Sequence, residues 1–214
     1  MIEHPILYSF RRCPFAIRAR CALAYSRIGY YHREILLKER PSKLFELSSK
    51  GTVPILELKE GIVLDESIDI MIWAISFRDD LKWFENNKSS QLEMIKINDN
   101  DFKYWLDKYK YHSRHPEKSK EYYRGKCSVI IDKYENIFKD SKFLFGEKCS
   151  LSDIAIFPFI RQFSFVNKIW FERSFKRTNQ WLNFFIESDE FNFIMKKYYV
   201  WNPLNKEDFF VNYF

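Results

Sequence analysis

The pattern of apolar and polar residues changes character near residue 78. Before that point, short strand-like runs alternate with short helical segments, in the order βαβ followed by αββα. Strands are expected at 5–8, 30–37, 53–58 and 62–64, and helices at 15–27, just after Pro41 and at 66–77. Residues 1–78 are therefore predicted to form a small α/β domain.

Beyond residue 88 the apolar residues recur at helical spacing. Ser150 and Asp153 have the spacing of a capping box, in which each side chain binds the other residue's backbone N–H, so a helix is expected to begin there. Further helices are expected over 92–111, 118–138, 181–186 and 191–198. Residues 88–214 are therefore predicted to form a second, all-helical domain.

The composition indicates ordered domains and excludes several other classes of protein. Hydrophobic residues make up 46% of the 214 residues and aromatic residues 19%, whereas Gly (5) and Pro (7) are scarce. Disordered and collagen-like chains have the opposite balance. No apolar run approaches the roughly 20 residues that a membrane helix needs, and no signal peptide is visible at the start. We expect a cytoplasmic protein with no membrane partner.

The net charge of +6 raises the question of nucleic-acid binding. About half of the positive excess lies in residues 1–78 and half in the rest, and acidic residues are interleaved throughout. Nucleic-acid-binding proteins instead concentrate positive charge on one stripe or tail. We therefore expect no nucleic-acid partner.

Cys13 lies between the first predicted strand and the first predicted helix, and it is the strongest candidate for chemistry. Pro14 follows it, and proline is favoured at the first helical position because its missing N–H would have had no partner there. Cys13 is thus expected at the N-cap, where the helix dipole and free amides favour a thiolate. Arg11 and Arg12 add positive charge nearby. These features predict a nucleophilic cysteine.

The other cysteines do not extend this candidate site. Ala16 stands where a dithiol oxidoreductase carries its second cysteine, and Cys21 is expected in the core. Cys127 and Cys149 complete no metal-binding pattern, so no metal is expected. A site with a single thiol must form a mixed disulfide with another molecule. The usual intracellular partner in such a disulfide is glutathione, so glutathione is the expected partner of Cys13.

Two further segments are candidates for binding a peptide-like ligand. The Val53–Pro54 bond fits either a cis-proline turn or a trans proline that opens an edge strand, and the sequence leaves both open. A cis bond would leave the Val53 backbone free to pair with a ligand. Glu66 and Ser67 begin the last helix of the first domain, where they would bind an amino-acid head group or act as an ordinary cap.

These motifs together resemble those of the cytosolic glutathione transferase superfamily. The matching segments are Tyr8 to Arg20, Gly51 to Pro54 and Glu66–Ser67, and the first is most similar to the cysteine-type members, the omega and dehydroascorbate-reductase-like classes. Ser150 to Pro158 is similar to the capping-box helix of the family's helical domain. The resemblance covers essentially the whole chain. It implies an N-terminal thioredoxin-like domain (βαβ-αββα), then an all-helical domain, usually in a homodimer.

The resemblance also implies a glutathione site. Lys38 would contact the glycine end of the tripeptide. Val53, preceding a cis Pro54, would pair with its cysteinyl residue. Glu66 and Ser67 would hold the γ-glutamyl head.

The catalytic role falls to Cys13, which would form a mixed disulfide with glutathione as co-substrate. Many family members instead use Tyr or Ser to activate the thiol of glutathione, and Tyr8 lies near the position of such a tyrosine. Thiol transfer or reduction through Cys13 is favoured; conjugation of electrophiles through Tyr8 and non-enzymatic glutathione binding stay open. The second substrate, a small electrophile or disulfide, would lie in the cleft between the domains. The candidate wall residues are Phe15, Tyr104, Trp105 and Tyr111.

Overall fold

The computed structural model describes residues 4–78, 80, 82–204 and 208–213. The chain forms two compact units, Met1–Asp79 with Ser188–Phe214 and Asp80–Glu187. The described residues after Glu187, which the sequence assigns to the helical domain, belong to the first unit instead. The second unit therefore ends earlier than the predicted second domain of 88–214.

The first unit is built on a five-stranded sheet in the order β4-β3-β1-β2-β5. Strands β1 and β2 are parallel, and the other neighbouring pairs are antiparallel. The strands are β1 (Ile6–Ser9), β2 (Tyr30–Glu34), β3 (Ile55–Glu57), β4 (Val63–Leu64) and β5 (Phe209–Val211). Apart from β5, their order along the chain is the predicted one.

Helices complete the first unit, and α1 packs against both α3 and α10. The helices are α1 (Pro14–Tyr25), α2 (Ser42–Leu47), α3 (Ser67–Phe77) and α10 (Asp189–Ile194), with a 3₁₀ turn at Lys59–Gly61. The order βαβ followed by αββα is confirmed, and it gives a thioredoxin-like domain with a small mixed sheet. Strands β2, β3 and β4 are shorter than predicted because pairing stops before the apolar runs end, whereas β1 keeps the predicted four residues, one position later.

Strand β5 departs from the prediction of helices alone beyond residue 88. It pairs antiparallel with β2, Val211 lying opposite Tyr30 and Phe209 opposite His32. A run of three residues is too short to display the alternation that marks a strand. Its pairing partner, β2, lies about 180 residues earlier in the chain, so no local sequence pattern indicates the pairing.

The second unit is helical. Its helices are α4 (Lys88–Ile97), α5 (Lys103–Lys110), α6 (Lys120–Ile137), α7 (Leu151–Ser164), α8 (Lys168–Ser174) and α9 (Lys176–Ile186), with a π-helical turn at Asn98–Phe102 and a 3₁₀ turn at His112–Arg114. The single helix predicted over 92–111 is thus interrupted by a wider turn. Within the described residues, no helix has both the length and the apolar character needed to cross a membrane.

Helix α7 forms the centre of the second unit, and all but two of its fourteen residues are buried. The predicted capping box is present: the Ser150 backbone N–H donates to the Asp153 carboxylate at 2.9 Å, and the Asp153 backbone N–H donates to Ser150 Oγ at 3.4 Å. The Asp153 carboxylate also accepts from the Leu144 N–H at 2.9 Å and from Trp181 Nε1 at 2.8 Å. One buried carboxylate therefore joins three segments of this unit.

Candidate functional site

Cys13 occupies the N-cap of α1, as the sequence predicts. Its backbone is extended (φ −74°, ψ 124°), and Pro14 takes the first helical position. Strand β1 ends at Ser9, and a turn closed by the Cys13 N–H donating to the Phe10 carbonyl at 3.0 Å leads into the helix. The half-buried thiol thus lies at the positive end of the α1 dipole, which stabilises a thiolate.

The Val53 backbone lies beside this thiol. The Val53–Pro54 bond is cis, and the Cys13 thiol donates to the Val53 carbonyl at 3.7 Å. The preceding turn requires glycine at Gly51, whose φ is +57° and where an added Cβ would lie 2.2 Å from the Phe45 ring. The fold thus brings Cys13 and the predicted peptide-pairing segment together.

Glu66 lies at the N-cap of α3 and already contacts an ammonium group. Its Oε1 accepts from Lys50 Nζ at 2.6 Å, and the same ammonium donates to Asp65 Oδ1 at 3.1 Å. The Ser48 hydroxyl donates to Asp65 Oδ2 at 2.6 Å, and this bond, together with Lys50, lowers the pKa of Asp65. This acidic corner therefore has the chemistry to bind the ammonium of an amino-acid head group.

Ser67 is buried at the first position of α3, and its hydroxyl accepts from Arg18 Nη1 at 3.4 Å. Lys38 is exposed in the turn after β2. Nearby in sequence, Arg40 donates to the Gly51 carbonyl at 3.1 Å and thus binds the turn that precedes Val53. No pattern in the sequence singles out Arg40, because its reach to this turn depends on the path of the chain between them.

Tyr8 is fully buried within β1. Its hydroxyl donates to Glu57 Oε2 at 2.9 Å and accepts from Arg33 Nη1 at 2.6 Å. Burial, assisted by Glu57, raises the pKa of Tyr8 well above its usual value despite the nearby Arg33 charge. The hydroxyl is therefore held neutral inside the sheet.

The four candidate wall residues of the second substrate's site fall in both units. Phe15 is half-buried on α1 of the first unit, with the Arg18 guanidinium 5.1 Å from its ring centroid. In the second unit, Tyr104 and Trp105 line one surface depression of about 550 Å³, whereas Tyr111 does not. The depression is also lined by Asp99, Asn100, Asp101, Lys103 and Asp107.

Sequence reasoning missed the two arginines that α1 buries completely, Arg18 and Arg20. Both belong to the motif quoted above, yet the sequence assigns neither a role, because surface placement is the usual expectation for arginine. Their alternation with small residues (Arg18-Ala19-Arg20) on an apolar helix is the signal from which their burial could have been predicted. No group of three His, Cys, Asp or Glu residues in the described ranges is arranged to hold a metal ion.

Comparison with known families gives two adjacent matches. The family model for the N-terminal domain of glutathione S-transferases matches residues 7–76, and that for the C-terminal domain matches residues 85–189. Mouse and rat glutathione S-transferase omega-1 are each 39% identical over 62 residues, which is 29% of this chain. The aligned segment spans 26% of the length of these relatives.

Solved structures of the same fold include three glutathione transferases with TM-scores of 0.78. One, from Pseudomonas fluorescens with two glutathione bound, is 15% identical and covers 90% of this chain and 92% of its own. A second, URE2P6 from Phanerochaete chrysosporium in complex with oxidized glutathione, is 17% identical and covers 89% and 94%. The third, from Burkholderia graminis with two glutathione molecules per subunit, is 15% identical and covers 90% and 88%. With family models matched in both parts of the sequence, the chain belongs to the glutathione S-transferase superfamily.

Proposed function

We propose that the protein is a glutathione-dependent thiol transferase or reductase whose nucleophile is Cys13. The observation that carries the proposal is the half-buried Cys13 thiol at the N-terminus of α1, 3.7 Å from the Val53 carbonyl. A cysteine in this setting favours the thiolate that attacks disulfides. We further propose that the protein acts in the cytoplasm as a homodimer, as the resemblance implies.

In this proposal glutathione binds along the first unit. The Val53 backbone pairs with its cysteinyl residue, and Lys38 contacts its glycine carboxylate. Glu66 and Ser67 hold the γ-glutamyl head, which presents an ammonium and a carboxylate. The bond from Lys50 Nζ to Glu66 Oε1 supports this assignment, since the carboxylates of this corner accept hydrogen bonds from an ammonium group. The glutathione bound in similar structures supports it further.

The reaction then needs two thiol–disulfide exchanges. The Cys13 thiolate attacks the glutathione sulfur of a glutathionylated substrate, forming a Cys13–glutathione disulfide and releasing the substrate as a thiolate. A second glutathione thiolate attacks the glutathione sulfur of that disulfide, releasing glutathione disulfide and the Cys13 thiolate. Phe15, Tyr104, Trp105 and Tyr111 remain the proposed contacts of the second substrate.

Conjugation through Tyr8 is the less favoured alternative. A tyrosine that activates glutathione must present its hydroxyl to the sulfur, whereas the Tyr8 hydroxyl is buried between Glu57 and Arg33. Its raised pKa also opposes ionisation. Both observations favour Cys13 over Tyr8.

The direct test replaces Cys13 by serine and measures reduction of a glutathionylated peptide by glutathione. We expect turnover to fall at least about hundredfold, because a hydroxyl does not replace a thiolate in disulfide exchange. The matched control is Cys149→Ser, which changes a half-buried cysteine of the second unit and should retain turnover. Full activity of the Cys13 variant would refute the proposal. Glutathione binding without turnover in the wild-type protein would instead favour a non-enzymatic role.

A further inference from the structure

Arg20 lies seven residues, or about two helical turns, after Cys13 on α1. Side chains on a helix lean toward its N-terminus, so Arg20 points back toward the turn that precedes Cys13. The residue is 1% exposed. Because a buried charge is costly unless hydrogen bonds surround it, the partners of Arg20 indicate what it does.

The Arg20 guanidinium binds the turn between β1 and α1 at three points. Its Nη2 donates to the Arg11 carbonyl at 2.7 Å, and its Nη1 donates to Ser9 Oγ at 2.5 Å and to the Phe10 carbonyl at 3.5 Å. Three consecutive residues leading to the Cys13 N-cap are therefore held by one side chain.

The same guanidinium also binds the C-terminal segment of the first unit. Its Nε donates to the Ile194 carbonyl at 2.9 Å, and Nη2 lies 3.7 Å from Met195 Sδ. The Ile194 carbonyl belongs to the last residue of α10, where carbonyl groups have no partner within the helix. Arg20 thus joins α10 to the turn before Cys13.

A second buried charge, the Glu34 carboxylate, binds the backbone N–H of Arg11. The Arg11 backbone N–H donates to Glu34 Oε1 at 2.7 Å, while the Arg11 carbonyl accepts from Arg20. Glu34 Oε2 lies 3.0 Å from His32 Nε2, so the carboxylate is itself fixed from β2. The turn before Cys13 is therefore clamped on both sides by buried, hydrogen-bonded charges.

We propose that Arg20 is a positioning residue for Cys13: it fixes the turn of residues 9–11 and places a buried positive charge that favours the Cys13 thiolate. This inference rests on the proposed function of Cys13. Lysine would retain the charge but not the planar fork of five donors that reaches three segments at once. The two contributions are therefore separable by substitution.

Other charged and titratable groups also act on Arg20 and must be weighed in any pH profile. Glu34 and Tyr30 face it from β2, together with neighbouring His32, and Tyr198 faces it from the C-terminal segment. Cys21 and Cys13 face it from α1. Of these groups, Glu34 is the acid that binds the same turn as Arg20.

The experiment compares Arg20→Met and Arg20→Lys, using the rate of iodoacetamide alkylation at Cys13 as a function of pH, read by mass spectrometry. In Arg20→Met the midpoint should rise by about one pH unit, so that alkylation near neutral pH slows about tenfold. In Arg20→Lys the midpoint should move less, while kcat/KM for a glutathionylated peptide falls about tenfold because the turn loses its hydrogen bonds.

Two controls separate this role from a general loss of structure. Cys149, in the second unit, is an internal reference whose alkylation should have the same pH profile in every variant. Arg18→Met removes an equally buried arginine of α1 whose side chain binds Ser67, and it should shift the Cys13 midpoint far less than Arg20→Met.

Several outcomes would overturn the inference: a wild-type midpoint in Arg20→Met, a wild-type kcat/KM in Arg20→Lys, an equal shift in Arg18→Met, or a parallel rise at Cys149. The alkylation measurements require no glutathione, so they test the effect of Arg20 on the thiol separately from the proposed function. A shifted midpoint together with full turnover of Cys13→Ser would refute the proposed function and leave the effect of Arg20 on the thiol established.

Discussion

Arg20 in the first unit and Asp153 in the second are both almost completely buried, and each binds backbone groups outside its own helix. The Arg20 guanidinium donates to carbonyls on both sides of α1, at Arg11 and Ile194. The Asp153 carboxylate accepts from Leu144 N–H, from Trp181 Nε1 and from both Ser150 donors. Both satisfy the requirement that a buried charge be surrounded by partners.

Arg20 and Asp153 differ in the segments to which their backbone partners belong. The partners of Asp153 are a loop residue, a helix N-cap and the side chain of α9, which together hold the second unit around α7. The partners of Arg20 lead directly into the Cys13 N-cap. The same physical device therefore supports the fold in one unit and, on our proposal, a reactive thiol in the other.

The strongest challenge to this comparison is Asp153→Asn. Burial raises the pKa of Asp153, while its hydrogen bonds act in the opposite direction. The donors around Asp153 bind both of its carboxylate oxygens, whereas the asparagine amide has only one acceptor oxygen. We expect a loss of about 3 kcal/mol in the free energy of unfolding, measured by urea denaturation. The matched control is Asp132→Asn, an exposed aspartate on α6, which should change stability little.

The comparison further predicts that folded Asp153→Asn retains the wild-type alkylation profile of Cys13. A shift as large as that of Arg20→Met would contradict it, because the two clusters would then not be separable into a stabilising and a positioning role.

A smaller effect is expected for Tyr8→Phe, which removes a hydroxyl from another buried polar group of the first unit. Glu57 and Arg33 each lose one hydrogen bond, but Arg33 keeps its two bonds of 2.7 Å to Asp208. The free energy of unfolding should fall by about 1 kcal/mol, with thiol-transfer turnover near the wild-type value.

Tyr199→Phe is the control for Tyr8→Phe, since Tyr199 is 84% exposed and belongs to the same unit. Near-complete loss of turnover in Tyr8→Phe, with turnover retained in Tyr199→Phe, would favour activation of glutathione by Tyr8 over the Cys13 mechanism.

The smallest effect concerns His32, which fixes Glu34. Burial, assisted by the Arg20 charge, lowers the pKa of His32 below 6.5 despite its bond to Glu34. As the pH falls through about 6.5, the unfolded chain binds a proton that the folded protein does not, so stability is lost as the pH falls. His32→Gln should reduce this loss between about pH 7 and about pH 5.5 by up to roughly 1 kcal/mol.

Urea denaturation at the two pH values measures this effect, and His112→Gln, an exposed histidine, is the control that should retain the wild-type pH dependence. An identical loss of stability in wild type and His32→Gln would show that His32 does not contribute.

Local patterns in the sequence were sufficient for much of the fold. The Cys13–Pro14 pair marked the start of α1, and Ser150 with Asp153 marked the start of α7. Both signals act within three or four residues, because a helix must satisfy its first N–H groups with nearby partners. The alternation of strand and helix in the first unit likewise needed no information from distant residues.

Long-range contacts were beyond the reach of these patterns. The C-terminal segment joins the first unit through β5 and through the bond from Arg20 to Ile194, and neither contact has a local signature. Helical turns run from Lys88 to Lys110, beginning four residues before the helix predicted over 92–111, and the π-helical turn among them was not visible in the apolar spacing.

For the candidate site, the sequence alone identified Cys13, its position at a helix N-terminus and the motif that ends in Pro54. Tertiary structure decided that the Tyr8 hydroxyl is enclosed, that the Val53–Pro54 bond is cis and that Arg20 clamps the turn before Cys13. The physical reason is the range of the interactions: capping acts over one helical turn, whereas the partners of a buried polar group come from whichever segments the fold brings around it.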